Sequence, residues 1–337
     1  MNSDMLTAIF RDRGYLKDTV VKDVQLTSIE TTGIASEFFR VQLKYSSADH
    51  SLPDHMVIKR PTLTDRGKGE AEVYEHILRP EVSLPILNCY GIVDDDPNKG
   101  LNFLFEDLSS SHSQTTWPII PDLNDCKSAV TALAKIHANW WGRTESIPDI
   151  VPVIVAHQDP DHLANYFPKF ADYVGEYLSP RHIKTYESIF SNLGSLLEQH
   201  ITKDKSTLLH TDSHFWNFFY SNDKKMESCV IFDWPLWRTG IGGSDLAYMI
   251  ALHLYPEHRH RFETAMLDQY WTQLNENGVS YSRMDVQLDY QIGIIIGLLM
   301  PVMEFSWGIP PLDWLPKLEK AFGAYFDLNC NQLLEAV

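Results

Sequence analysis

"LLHTDSHFWNFFYSN", residues 208–222, crowds two histidines, an aspartate and an asparagine into the eight positions from His210 to Asn217. The flanking runs "STLLH" and "FFY" have the texture of short β-strands, so the polar stretch reads as a loop between strands. Such a loop can be a polar turn, a metal site or a catalytic loop. Downstream, "SNDKKMES" is rich in turn residues and "CVIFDW" is a second apolar strand. A hairpin turning about Lys225 sets Asn217 and Asp233 opposite each other at its open end, with His210–Asp212 just before its first strand. Asp212, Asn217 and Asp233 are then expected at one spot, and carboxylate and amide oxygens are the ligands that Mg²⁺ prefers.

The 337-residue chain is too long for one small core and suits two lobes. Its composition is that of a globular protein, 44% hydrophobic and 22% charged, without repeats or low-complexity tracts. A formal charge of -17 at pH 7 argues against nucleic acid or an anionic membrane surface as main partner. It is compatible with a cationic small molecule, and equally with solubility alone. Cys89, Cys126, Cys229 and Cys330 lie far apart and form no CxxC pair, as expected of reduced thiols in a cytoplasmic protein. "MNSDMLTAIFRDRG" lacks the apolar core of a signal peptide. The longest apolar run, "IGIIIGLLMPVM" at 292–303, is shorter than the ~20 residues of a membrane span and reads as a buried helix.

The first third has sheet texture. Runs at 24–30, 38–46 and 55–60 are rich in β-branched and aromatic residues, and "NCYGIV" and "LNFLFEDL" add two more. Between the third and fourth, "GEAEVYEHILR" (69–79) carries Val73, Tyr74 and Ile77 at helical spacing, with its acids early as the helix dipole prefers. Five strands with one helix after the third are therefore expected. After the polar connector "SSSHSQTTWP" long helical patterns dominate, which places a lobe boundary near residue 107. The expected class is α+β: a sheet lobe over 1–107, and a helical lobe over 108–337 that holds the opening stretch as an island of short strands.

Asp212 and Asn217 are five apart, the separation in the kinase catalytic loop H-R-D-L-x-x-x-N, and His210 takes its histidine position. Sixteen residues on, an apolar strand ends in Asp233, where kinases place the metal-binding Asp of D-F-G. "VIK" ends the third strand, so Lys59 resembles the lysine of V-A-I-K, with Glu70 and Glu72 as candidate ion-pair partners. "LLHTDSHFWN", "VIFDW" and "GGSDLA" resemble the H-G-D-x-H-x-x-N, I-D-W and D-L-A signatures of the aminoglycoside phosphotransferase and choline kinase-like superfamily. "LAKIHANWW" and "FLFEDLSS" resemble its helix and hinge. The likeness runs from about residue 24 to 250. It implies a protein-kinase-like fold and transfer of phosphate from ATP, with Mg²⁺, to a small-molecule hydroxyl.

On that resemblance Asp212 meets the substrate hydroxyl, Asn217 and Asp233 hold Mg²⁺, and Lys59 holds the α- and β-phosphates. The family pattern E-x-x-x-Y, matched by Glu70 and Tyr74, favours Glu70 as its partner. Backbone groups of Glu106 and Leu108 meet the adenine edge, and Gly33 and Ser36 belong to the phosphate loop. Two departures stand out: Thr211 replaces the usual Gly, and "TTGIASEF" holds only Gly33 of a Gly-rich loop. His210 and His214 read as braces of the catalytic loop, and Asp245 as a further brace or as a cap of the helix that follows it. The rival readings are a zinc hydrolase, with His210 and His214 on one helix face, and a catalytically inactive binding module of the same fold. Trp271, Trp307 and Trp314 read as core before they read as a ligand cage.

Overall fold

The computed structural model describes all residues except 31–35, 49, 63, 78–82, 95–99, 147–159, 224, 227 and 235, and the backbone alone of 64–66, 146, 160 and 161. Two compact units are present. The first comprises Met1–Gln114, Phe219–Met226 and Val230–Leu236, and the second Thr115–Phe218, Glu227–Cys229 and Trp237–Val337.

The first unit is built on a five-stranded antiparallel sheet of β1 (Val21–Ile29), β2 (Ser36–Tyr45), β3 (His55–Pro61), β4 (Cys89–Val93) and β5 (Asn102–Glu106), in the order β1-β2-β3-β5-β4. The five expected strands all form. An unanticipated helix, α1 (Ser3–Asp12), precedes them; Asn2 caps it by accepting the Met5 N–H at 2.9 Å. It buries Leu6 and Phe10 in one cluster with Val41, Met56, Ile58 and Leu104. The helix after β3 begins earlier than its periodicity announced: α2 is Thr64–Glu72, followed by a wide π-turn at Val73–Ile77. Gly67 and Gly69 dilute the helical pattern, while Glu70, Val73, Tyr74 and Ile77 face inward together.

The boundary also differs from the sequence reading. The chain leaves the first unit at residue 114, not 107, because β6 (His112–Ser113) pairs with Tyr220 and Ser221 of β8 (Phe218–Ser221). β9 (Cys229–Ile231) completes that three-stranded sheet, and its Ile231 exchanges backbone bonds with Pro85 and Leu87. The expected island of strands thus folds largely with the first unit, and it carries Asp233 there.

The second unit is helical: α3 (Leu123–Trp140), α4 (Pro160–Val174), α5 (Pro180–His200), α6 (Gly243–Ile250), α7 (Pro256–Glu276), α8 (Arg283–Gly297), α9 (Met300–Ser306), α10 (Pro311–Asp327) and α11 (Asn331–Glu335). A two-stranded ladder of β7 (Thr207–Leu209) with β10 (Arg238–Gly240) supports the loop at 210–214. The expected single helix at 292–303 is divided, since α8 ends at Gly297 and Pro301 falls in the first turn of α9. Arg283–Ser306 is 24 residues long and apolar enough to cross a membrane, but 78% of its most apolar window is buried inside the protein. Where α6 crosses α8, a Cβ on Gly243 would lie 2.2 Å from the Asp289 carbonyl carbon, so only glycine permits that approach.

Asp289 on α8 is 5% exposed. Burial pushes its carboxyl up to about 6, against the bond donated by the Tyr281 hydroxyl at 2.8 Å. The folded protein therefore keeps a proton that the unfolded chain releases from about pH 4, so stability falls as pH rises from about 4 to 6. Asp289→Asn, uncharged throughout, should match wild type near pH 4 and exceed it by about 3 kcal/mol at pH 7. Urea denaturation of both proteins at the two pH values measures this.

Candidate functional site

In the first unit, register decides where the charges fall. Lys59 on β3 lies between Phe38 on β2 and Phe103 on β5, and is 4% exposed. Its Nζ donates to Glu70 Oε1 at 2.8 Å and Oε2 at 2.6 Å, and to Asp233 Oδ1 at 2.5 Å. Of the two candidate carboxylates it is therefore Glu70, itself 1% exposed, that meets the lysine. Burial works against the Lys59 charge, yet Asp233 and Glu70 outweigh it and hold the ammonium above its ordinary value. Burial likewise raises the Glu70 carboxyl, opposed by Lys59 and by a backbone N–H from Trp234. Tyr74, one helical turn beyond Glu70, packs edge-on against Phe105 at 5.2 Å. Asp233 adopts a left-handed backbone, φ 66°, which aspartate tolerates better than most residues.

Lys59 and Asp233 border a cavity of about 510 Å³, the size of a small-ligand site. Ser36 and Glu106–Leu108 line it, as do Phe219 and Phe232, stacked at 4.4 Å. Gly33 lies outside the described residues. The Glu106 N–H is already donated to the Asn88 carbonyl at 3.0 Å, and the Leu108 carbonyl accepts the N–H groups of Ser111 and His112. On Leu108, then, the N–H is the group left for a ligand edge.

In the second unit the loop after β7 carries Asp212, its side chain 27% exposed. Asn217 ends a short 3₁₀ turn, and its Nδ2 donates to the Asp212 carbonyl at 2.7 Å and to Oδ2 at 3.2 Å. That leaves the Asn217 Oδ1 as its free metal-binding atom type, while Asp233 offers a partly exposed carboxylate. The Tyr248 hydroxyl donates to Asp212 Oδ1 at 2.8 Å, and His214 Nε2 lies 3.6 Å from the same oxygen. Burial tends to raise the Asp212 carboxyl, but His214, His210, Lys317 and the Tyr248 bond together hold it below the usual carboxylate range.

The loop is held from beneath by Asp245, whose carboxylate accepts the backbone N–H of His210 at 2.7 Å and of Thr211 at 2.8 Å. Asp245 is thus a loop brace and not a helix cap. Sequence reasoning missed what orients it. His137 on α3 donates Nε2–H to Asp245 Oδ2 at 3.2 Å, and its Nδ1 accepts the Tyr270 hydroxyl at 2.7 Å. The tyrosine proton fixes the tautomer that faces the carboxylate. A Cβ on Gly242 would stand 2.0 Å from the Tyr270 oxygen, so that glycine makes room for the relay. "LAKIH" holds His137 at a recognisable place, but nothing in one sequence announces Tyr270 as its companion, or Tyr248 and Lys317 as neighbours of Asp212.

The zinc reading fails on this geometry. Residues 210–214 form a loop, the His210 Nδ1 accepts the Asp212 N–H at 3.3 Å, and no group of three His, Cys, Asp or Glu side chains among the described residues could hold a metal ion. Trp314 is core, 1% exposed, with Nε1 bonded to the Ile309 carbonyl; Trp271 and Trp307 are partly exposed.

Solved structures with a similar fold include small-molecule kinases. A proposed aminoglycoside phosphotransferase of Ralstonia eutropha JMP134 shares 12% identity, covers 99% of each chain and superposes with a TM-score of 0.59. A choline/ethanolamine kinase family protein of Mesorhizobium loti shares 14% over 96% of this chain and 93% of its own, TM-score 0.58. The choline kinase LicA of Streptococcus pneumoniae, solved with AMP, shares 12% over 97% and 98%, TM-score 0.50. No curated protein sequence matches. The fold is therefore that of the kinase-like small-molecule phosphotransferases. Residues 31–280 match the ecdysteroid kinase-like family, and the chain belongs to it.

Two substitutions test the local physics. Thr211 has φ 66°, a conformation that costs a β-branched residue about 1–2 kcal/mol. Thr211→Gly should therefore be neutral or stabilising by up to about 1 kcal/mol in urea denaturation, after the entropy of a freer unfolded chain. Glu70→Ala should destabilise by about 2 kcal/mol, because Asp233 still meets the ammonium, while the half-buried Glu72→Ala stays within about 0.5 kcal/mol.

Proposed function

We propose that the protein transfers the γ-phosphate of ATP to a hydroxyl of a small molecule, with Mg²⁺. The observation that carries this is the buried Lys59 ammonium, clamped by Glu70 and reaching Asp233 at the edge of the 510 Å³ cavity. A lysine so held presents a fixed positive charge to the α- and β-phosphates. Adenine would lie against Phe232 and Val57, with the Leu108 N–H on its edge and Ser36 toward the phosphates. Asn217 and Asp233 would hold Mg²⁺, which neutralises phosphate charge when bound.

Asp212 would receive the acceptor hydroxyl. With its carboxyl below the usual carboxylate range it is an anion at neutral pH and a weak proton sink. Its contribution is then to aim the oxygen nucleophile by accepting its hydrogen bond. The matched family is named for ecdysteroid kinases and the structural neighbours for aminoglycoside and choline phosphorylation, hydroxyl-bearing molecules in each case. All four cysteines are free, which suits a reducing compartment such as the cytoplasm.

Two measurements test the reading. Excess Mg-ATP should raise the melting temperature of wild type, and Asp233→Ala should lose the magnesium-dependent part of that rise. Asp212→Asn should keep folding and Mg-ATP binding while phosphate transfer, scored by mass gain across a library of hydroxylated compounds, falls about 10²-fold or more. No thermal shift and no calorimetric binding at millimolar Mg-ATP would exclude the kinase reading. ATP binding without transfer to any compound would favour an inactive binding module.

A further inference from the structure

Glu304 on α9 and Lys317 on α10 lie beyond the residues matched to the family. Glu304 is 5% exposed, and the Lys317 Nζ donates to its Oε1. The other carboxylate oxygen, Oε2, is buried without a hydrogen-bond partner among the described residues. Lys317 is therefore the counter-charge on which a buried carboxylate depends. The same Nζ lies 5.7 Å from the centroid of the Tyr248 ring, and the Tyr248 hydroxyl donates to Asp212 Oδ1 at 2.8 Å. Asp212 is further supplied by Asn217 Nδ2 and approached by His214.

An alcohol that carries an ammonium group is recognised by two things: an aromatic face and a carboxylate. Beside Asp212 both are present, as Tyr248 and Glu304, and both are engaged by one resident cation. A second cation would meet the Lys317 charge in a poorly solvated region, where repulsion is strong. We propose that the Glu304–Lys317 pair is a specificity-determining element of acceptor binding: Lys317 holds the cation position beside Asp212, so the acceptor is a hydroxyl compound without an ammonium group. The inference rests on the phosphotransferase reading. It also means that the net charge of -17 does not describe the charge met by the acceptor.

Choline and its uncharged isostere 3,3-dimethylbutan-1-ol share a shape and differ by one charge. Their binding by calorimetry, with Mg-ATP binding measured on the same protein, tests the filter. Wild type should show no preference for choline over the isostere. Lys317→Ala should prefer choline about tenfold, and ethylammonium should raise its melting temperature saturably. Adding Glu304→Gln should abolish both gains. A wild type that itself prefers choline about tenfold overturns the proposal, as does a folded Lys317→Ala protein that gains no affinity for cations. Should Lys317→Ala fail to fold, the wild-type comparison still decides. Absent Mg-ATP binding would count against the phosphotransferase reading, separately from either outcome.

Discussion

An ammonium group moved out of water must be neutralised where it stands, and Lys59 has been moved almost entirely out of water. Its two partners come from opposite sides of the sequence: Glu70 from the helix that follows its own strand, and Asp233 from a segment 174 residues away. The second is what draws the chain back. A stretch that by sequence belongs among helices is held in the first unit through Ile231 and its bonds to Pro85 and Leu87, and it delivers Asp233 to the lysine. Remove the carboxylates and the buried charge has no compensation; remove the charge and two carboxylates face each other. The arrangement stabilises only as a set, which is why such clusters mark sites of charged-ligand chemistry more than they mark good packing.

The second unit applies the same logic to backbone. Thr211 sits at φ 66°, where a β-branched residue is strained, and it stays there because Asp245 accepts its N–H together with that of His210. Asp245 in turn receives the Nε2–H of a histidine whose other nitrogen is fixed by Tyr270. Three helices, α3, α6 and α7, thereby converge on two peptide groups. The return on that investment is the orientation of the next residue, Asp212.

What the sequence made legible follows from range. Lys59, Asp212, Asn217, Asp233 and the five strands are written in local spacing and in alternation of residue type; the strands form as expected and Lys59 meets Asp233, while the roles of these side chains in transfer and metal binding are proposals. Choosing Glu70 over Glu72 needed the helix register, and the family tyrosine at position 74 supplied it. α1 was missed because a ten-residue amphipathic segment at a chain end carries little signal beyond Leu6 and Phe10. The placement of β8 and β9 was missed because hydrogen bonds such as Leu87 to Ile231 leave no mark in the composition of either partner. Tyr248, Tyr270, Glu304 and Lys317 were invisible for the same reason: each is an unremarkable helical residue until tertiary packing gives it a neighbour. Gly33, the one glycine of the nucleotide loop, lies outside the described residues, so that expectation stands on sequence alone.

The low proton affinity of Asp212 bears on how the proposed reaction would work. A hydrolase that must strip a proton from water gains from a base near neutrality, and its pocket is built to raise the pKa of that base. Around Asp212 the surroundings do the reverse: a tyrosine hydroxyl, an asparagine amide and nearby cationic groups all favour the anion. In phosphoryl transfer the bond to the leaving group loosens before the nucleophile is committed, so strong deprotonation is not needed early, and alignment matters more. A carboxylate fixed as an anion, on a loop whose backbone is braced from three helices, suits alignment. The same reasoning gives a role to the pairing of Lys317 with Glu304. An unbalanced neighbour would shift the carboxylate or its proton affinity with every acceptor that entered, whereas Lys317 with Glu304 leaves the field at Asp212 largely set by the protein itself.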